Sequence, residues 1–302
     1  MPELPEVTTT SRILDKILKN KKIIFVWTNY KSDYFKGKEN IKDPKYFDFF
    51  KKEILNQKIK KVHRIGKNVL IDISGPKTIL IHMKMTGHLL YGNYKYDKNK
   101  NEWSATDPGP LQDKFNQHIR VVFELDNGKK LVLSDVRKFA KVALIKDSNI
   151  KNFKDLKDVG PDPLDQNFDL KKFTEVLEKK PKGKIKTVLM DQSIISGIGN
   201  IYSDEALWMT GIHPERPIFK IKKNEFDFLL KNIKKVLNLG IDFGGDSTSD
   251  YRQPDGRPGN FHHKHQVYKR KGQKCKKKNC DGQIIRKIIG GRSAHFCDKH
   301  QI

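Results

Sequence analysis

Apolar residues recur along this chain with two different periods, and the change of period divides it. Within residues 3–20, Val7, Leu14, Ile17 and Leu18 fall on one side of a helical wheel, which predicts an opening helix. Short β-type runs follow at 23–27, 58–63, 69–73, 78–83, 119–125, 130–134 and 142–145. Turn signals such as Ile65-Gly66-Lys67, Ser74-Gly75-Pro76 and Asp126-Asn127-Gly128 bound several of them. Many short strands at this spacing predict a sandwich or barrel. The polar stretch 91–117, with Asp107-Pro108-Gly109-Pro110, reads as a long exposed loop. After about Asp147 the pattern turns helical, at 168–178, 185–190, 201–209 and 225–239, with glycine loops at 197–199 and 244–245. The tail from about Tyr251 is basic and glycine-punctuated, and no internal repeat is visible. The expected layout is an α+β multidomain chain. Residues 1–147 form a β-rich domain with a leading helix, 148–250 a helical domain and 251–302 a small appended module.

Composition narrows the classes. A chain of 302 residues, 36% hydrophobic, supports two ordinary cores and is too apolar to be wholly disordered. No apolar run approaches a membrane span and the start lacks a charged-then-apolar leader, so neither anchor nor signal peptide is expected. The net charge of +25 points to a polyanionic partner, nucleic acid or an acidic membrane face. A general preference for lysine, 51 against 10 arginines, could inflate that figure without any binding role. The distribution argues otherwise: residues 1–150 carry +13, 151–250 carry +1 and 251–302 carry +11.

All three cysteines lie in the tail, as Cys275-x4-Cys280-x16-Cys297-x2-His300. Two close pairs of soft ligands across a loop form the pattern of a structural zinc site, with no position left for a catalytic water. Zinc would fold a segment too short to build its own core. His295 is a rival fourth ligand, two residues before Cys297. The nearby His262, His263 and His265 are assigned no metal.

The chain opens Met1-Pro2-Glu3-Leu4-Pro5-Glu6. Removal of Met1 would expose a secondary amine, and an α-amino group titrates near pH 7.7–8.0, so a useful fraction is neutral and nucleophilic. Glu3 beside it could serve as general acid or base. Taken alone, proline and acids at a helix start are ordinary. Joined to the zinc spacing and the motifs below, this opening resembles the formamidopyrimidine-DNA glycosylase and endonuclease VIII family, along nearly the whole chain.

The resemblance implies an N-terminal β-sandwich, a helical domain with a helix–two-turn–helix, and a zinc β-hairpin. It implies a DNA glycosylase/AP lyase of base excision repair. It further implies that Pro2 displaces an oxidised base and forms a Schiff base at C1′, and that the strand is cut by β- and δ-elimination. By this resemblance Pro2, Glu3, Lys67 and Arg292 are catalytic, and Glu6 supports them. Lys67 sits in a turn resembling the family's lysine motif, His63-Arg64-Ile65-Gly66-Lys67. Met85, in His82-Met83-Lys84-Met85-Thr86-Gly87, together with Arg137 and Phe139, in Ser134-Asp135-Val136-Arg137-Lys138-Phe139, resembles the wedge that fills the gap of a flipped base. Lys138, His118, Lys186, Asn200, Arg257 and Tyr268 are the remaining implied DNA contacts, and Gly290-Gly291-Arg292 resembles the hairpin tip. Val136 and Lys138 stand where the family has Pro and Arg. Here the first cysteine gap is four residues, and His300 replaces the family's last Cys. The implied partner is damaged duplex DNA, bound by a monomer in the cytoplasm at the nucleoid. Two alternatives stand beside oxidised purines as substrate: an endonuclease VIII type acting on oxidised pyrimidines, and an inactive zinc DNA-binding protein.

Overall fold

The structure, a computed structural model, describes residues 1–146, 150 and 152–302. The expected boundary at 147/148 lies outside the described residues. Two compact units are present: Met1–Lys157 with Phe243–Asn260, and Asp158–Asp242 with Phe261–Ile302.

The first unit begins with α1 (Leu4–Leu18) and β1 (Ile23–Thr28). Then comes α2 (Pro44–Ile54), which the apolar pattern did not predict. Its start is nonetheless written in the sequence: Pro44 takes the first turn, and the Asp43 side chain accepts from the Lys45 amide at 3.1 Å. Strands β2 (Ile59–Ile65), β3 (Asn68–Ile73), β4 (Lys77–His82) and β10 (Lys141–Lys146) form one antiparallel sheet in the order β10-β4-β3-β2. Strands β5 (His88–Gly92), β8 (Ile119–Leu125) and β9 (Lys130–Ser134) join β1 in a second, ordered β1-β8-β9-β5.

Alternation within the strands explains how the sheets pack. Val69, Ile71 and Ile73 of β3 share one core with Val121, Phe123 and Leu125 of β8, with Leu14 and Leu18 of α1, and with Phe50 and Ile54 of α2. That core is the sandwich interior. Side chains one position out of phase face outward: Leu70 and Leu80 are covered by Leu156. Likewise Leu90, Val122 and Val132 pack under Tyr94, Trp103 and Leu111. The strands are therefore buried on both faces, which is why they read as continuous apolar runs.

The stretch 91–117 is not an exposed loop. It contains a hairpin, β6 (Tyr94–Asp97) and β7 (Glu102–Ala105), whose Trp103 is 9% exposed and closes the outer face of the second sheet. Its polar content hid three widely spaced apolar anchors. Burying each large side chain contributes about 1.5–3 kcal/mol, enough to order so polar a segment.

The second unit carries α3 (Leu170–Glu178), α4 (Ile185–Leu189), α5 (Asn200–Thr210), α6 (Lys223–Asp242) and the hairpin β11 (Ile284–Ile289) with β12 (Arg292–Cys297). Gln192 stitches the turn between α4 and α5. Its side chain accepts from Gly197 N at 2.9 Å and donates to Met190 O and Ile198 O at 2.8 Å each. Helix α6 approaches α5 closely because Gly240 has no Cβ, which would lie 2.6 Å from the Tyr202 ring. The fold is thus the expected α+β arrangement of sandwich, helix–two-turn–helix and terminal hairpin.

Candidate functional site

In the first unit the helix start is buried. Pro2, Glu3 and Glu6 are buried while Met1 is 43% exposed. Glu6 turns back on its own helix, its Oε2 accepting from the Glu3 amide at 2.7 Å. The other carboxylate oxygen accepts from Asp246 N at 2.7 Å, so one side chain ties α1 to the segment 243–260. Tyr251 reinforces this by donating to Glu6 O at 3.2 Å, and burial pushes its phenol well above the usual range. Gly245 lies beside the carboxylate at φ +89°, and a Cβ there would meet Glu6 Cγ at 2.9 Å.

Strand β2 runs along α1 and positions the next group. Val62 N donates to Asp15 Oδ1 at 2.7 Å, and Arg64 Nε donates to Thr8 Oγ1 at 2.6 Å. The β2–β3 turn therefore sits against the first turns of α1, and it carries Lys67, only 6% exposed. His82, which the sequence reading did not single out, shares the electrostatics of this turn. Burial, with Lys84 and Lys67 nearby, pushes its imidazole down to about 3. Its Nδ1 accepts from Lys84 N at 3.0 Å, which leaves the proton on Nε2 and makes the neutral ring a donor.

Met85, Arg137 and Phe139, the residues expected to form a wedge, lie on two loops of the same unit. Met85, Val136 and Phe139 are 36%, 40% and 50% exposed, an unusual run of large apolar side chains in solvent. Arg137 lies over the Phe139 ring at 4.5 Å. The organiser beneath them is Asp135, fully buried. It accepts from Thr86 Oγ1 at 2.5 Å, Tyr30 OH at 2.8 Å and Ala140 N at 2.8 Å. Thr86 in turn accepts from Arg137 N at 3.1 Å, linking the Met85 loop to the Arg137 loop. Lys138 is left-handed at φ +57°, and its carbonyl accepts from the buried Lys42 ammonium at 2.6 Å. Burial pushes Lys42 down to about 8. His118 is exposed at the edge of this region, and its carbonyl accepts from Asp135 N at 2.8 Å. Asp135 stood inside a quoted motif, whereas Tyr30 and Lys42, about a hundred residues away, gave no local signal.

Residues 251–260 of the expected third segment lie in the first unit. Tyr91 N donates to Pro254 O at 2.7 Å, and Asn116 Nδ2 reaches Gly256 O at 3.2 Å. Arg257 is exposed at the tip of this segment, its Nε donating to Asp255 Oδ2 at 2.6 Å.

In the second unit one expected contact is corrected. Lys186, implied to meet a DNA phosphate, is fully buried. Its ammonium pairs with Asp204 of α5, itself 1% exposed, and reaches Ser203 Oγ at 3.4 Å. Asp204 Oδ2 also accepts from the His295 amide at 2.9 Å and faces His295 Nδ1 at 3.2 Å. The lysine is thus one corner of a buried cluster joining α4, α5 and β12, and His295 belongs to that cluster. The neighbouring Glu205 caps the approach to the hairpin, its carboxylate accepting from the amides of Gln266, Val267 and Tyr268 at 2.8–3.0 Å. Burial raises its pKa against the pull of those donors. Tyr268 is half-buried between His265 and His295 at ring distances of 5.3 and 5.2 Å. Asn200 opens α5 with its Oδ1 buried and unpartnered. Arg292 is exposed at the start of β12, after the left-handed pair Gly290-Gly291.

Cys275, Cys280, Cys297 and His300 bring four ligand atoms within 4.8 Å of one another, a group able to hold a metal ion. Cys280 Sγ lies 3.6 Å from Cys297 Sγ, and His300 Nδ1 lies 3.4 and 3.9 Å from the sulfurs of Cys275 and Cys280. His300 Nε2 faces Trp208 O at 3.0 Å. A carbonyl only accepts, so the proton is on Nε2 and Nδ1 keeps its lone pair. The indole N–H of Trp208 donates to Cys275 Sγ at 3.3 Å, and amides of Lys277, Gly282 and Lys299 donate to the three sulfurs at 3.4–3.5 Å.

Comparison with known proteins agrees with both units. Residues 1–142 match the formamidopyrimidine-DNA glycosylase N-terminal domain, and residues 159–252 match the formamidopyrimidine-DNA glycosylase H2TH domain. The chain is 36% identical to the formamidopyrimidine-DNA glycosylase of Desulforamulus reducens over 100% of this chain and 99% of that protein. It is 34% identical to that of Ligilactobacillus salivarius, with the same coverage. Among solved structures, Lactococcus lactis Fpg in complex with an abasic site containing DNA is similar at TM-score 0.82 and 29% identity, covering 99% of both chains. The wild-type Lactococcus lactis enzyme with N7-benzyl-Fapy-dG DNA gives 0.81 and 30%, again over 99% of both chains. With both units matched and the full length aligned, the chain belongs to the formamidopyrimidine-DNA glycosylase family.

Proposed function

We propose that the chain is a bifunctional DNA glycosylase/AP lyase of base excision repair, removing 8-oxoguanine and formamidopyrimidines from duplex DNA. The observation that supports this most is the buried helix start. Glu6 spends its two carboxylate oxygens on the amides of Glu3 and Asp246, and the Glu3 carboxylate accepts in return from the Glu6 amide, a reciprocal box that fixes the helix start beside Pro2. Once Met1 is removed, the Pro2 amine attacks C1′ of the flipped nucleotide and the oxidised base leaves with a proton. Glu3 gives a proton to the ring oxygen O4′ as the C1′–O4′ bond breaks, and the nitrogen lone pair forms the C1′=N bond, leaving the opened sugar as the Schiff base on Pro2. β-Elimination then breaks the 3′ C–O bond, and δ-elimination the 5′ bond. Lys67 and Arg292 act as cations on phosphates flanking the lesion, Arg292 through its two-pronged fork. Met85, Arg137 and Phe139 fill the gap left by the base, at a site where unstacking costs a few kcal/mol. Lys138, His118, Asn200, Arg257 and Tyr268 lie along the bound duplex.

The four-ligand group fits zinc. A tetrahedron of Zn–S bonds near 2.3 Å has edges of about 3.8 Å, and the sulfur–sulfur separation is 3.6 Å. Cys275, Cys280, Cys297 and His300 would hold one structural ion that fixes the hairpin. The protein works as a monomer on damaged duplex DNA, in the cytoplasm at the nucleoid. On sequence grounds we assign domains at 1–147, 148–250 and 251–302, with residues 251–260 of the last packing into the first unit.

Borohydride trapping on duplexes carrying 8-oxoguanine or thymine glycol tests the proposal. A covalent adduct with the 8-oxoguanine duplex, lost in Pro2→Gly, is expected. Preferential trapping on thymine glycol would transfer the substrate to oxidised pyrimidines, and no adduct with either duplex would refute the enzyme.

A further inference from the structure

The wedge loop does not stand alone on the surface of the first unit. Lys42, whose ammonium holds Lys138 O at 2.6 Å, also lies 4.8 Å from the Phe35 ring centroid and 5.0 Å from that of Tyr30. Phe35 meets Tyr34 edge-on at 5.1 Å, and Lys38 places its ammonium 3.5 Å over the Tyr34 ring. A continuous chain of contacts therefore runs from Lys138 through Lys42 and Phe35 to Tyr34 and Lys38. The loop is pinned at both ends: Ser32 N donates to Lys42 O at 3.1 Å, Gly37 N to Asp43 Oδ2 at 2.9 Å, and Ile41 N to Val142 O at 3.1 Å.

The surface this scaffold presents is unusual. Tyr34 is 74% exposed, more than any other aromatic residue among the described large hydrophobics. Lys31, Lys36 and Lys38 are exposed around it, against Asp33 and Glu39. Ammonium groups held at a surface are what sequence-independent contact with a duplex backbone uses.

We propose that residues 31–39 form a second grip on duplex DNA, contacting its backbone next to the Met85, Arg137 and Phe139 wedge. The inference rests on the DNA glycosylase reading above. Lys42 is its positioning residue: one buried ammonium sets the wedge loop and the grip loop relative to each other. Lys36 and Lys38 neutralise phosphates, and Tyr34 packs on the sugar–phosphate edge, releasing Lys38 from its ring as DNA arrives.

The test compares the full-length parent with Tyr34→Ser/Lys36→Ser/Lys38→Ser, measuring affinity for a tetrahydrofuran-containing duplex across a salt series. A matched control, Lys98→Ser/Lys100→Ser, removes the same charge from the exposed β6–β7 turn. Two lost phosphate contacts lower the slope of log affinity against log salt by about 1.8. The triple variant should show that loss and at least tenfold weaker binding at low salt, with the control close to the parent. An unchanged slope in the triple variant overturns the grip, and so does an equal loss in the control, since diffuse charge would then account for it. Borohydride trapping at saturating protein separates the two readings. The triple variant should still trap fully, while a parent that never traps would defeat the enzymatic reading rather than the loop.

Discussion

Replacing Lys186 by Met should unfold the second unit at much lower denaturant and leave DNA recognition by the rest of the chain intact. The side chains of Lys186 and Asp204 are 0% and 1% exposed. Removing the ammonium strands a carboxylate that water cannot reach, with only the amide and ring of His295 left beside it. Breaking one partner of such a pair costs about 3–5 kcal/mol. At a urea slope of about 2 kcal/mol per molar, the midpoint should fall by about 1.5–2.5 M. Trp208 reports on this unit, while Trp27 and Trp103 lie in the other, so fluorescence of a Trp27→Phe/Trp103→Phe background isolates the transition. The double change Lys186→Met/Asp204→Asn should recover part of the loss, because Asn keeps an acceptor for the His295 amide and no buried charge then lacks a partner. A lysine that served a DNA phosphate would behave in the opposite way, with little change in stability and a shallower salt dependence of binding. A Lys186→Met midpoint within about 0.5 M of the parent, which at that slope is about 1 kcal/mol, would refute the buried-pair account.

Trp103→Ala should destabilise the first unit by about 3–5 kcal/mol in urea unfolding, since its ring closes the outer face of the second sheet. A loss under about 1 kcal/mol would return 91–117 to the status of a loop. Glu215 is held down to about 2 by hydrogen bonds from Lys184 and Lys287. Its folded pKa lies below the unfolded one, so its contribution is present above about pH 4.5 and lost as pH falls toward 2. Glu215→Gln should therefore lower stability at pH 6 by up to about 1 kcal/mol, and the difference should shrink as pH falls toward 2. Metal analysis should find one zinc per chain. Stripping it should change Trp208 fluorescence, since the indole donates to Cys275, and should weaken duplex binding. A folded, fully binding protein without metal would contradict the zinc assignment.

Sequence pattern carried most of the sandwich and the helical half, because alternation and helical spacing each persist for several residues. It failed where few apolar residues did the anchoring. The hairpin β6–β7 rests on Tyr94, Trp103 and Leu111 amid polar neighbours, and α2 was announced by Asp43-Pro44 rather than by its period. At the site, short motifs located Glu3, Glu6, Arg137 and the cysteine group. What motifs could not show was tertiary: Asp135 gathering Tyr30, Thr86 and Ala140, or Asp204 joining α4 to β12. Lys186 illustrates the limit. Its place in a motif said nothing of which way the ammonium pointed, and burial reversed its expected role.

The central claim is that the N-terminal proline is the nucleophile, and the most direct measurement is the identity of the residue bonded to sugar after borohydride reduction on an 8-oxoguanine duplex. Peptide mass spectrometry of the trapped adduct should place the deoxyribose remnant on the nitrogen of Pro2, with Met1 absent. An adduct carried by a lysine, or by a chain that still retains Met1, would contradict the mechanism.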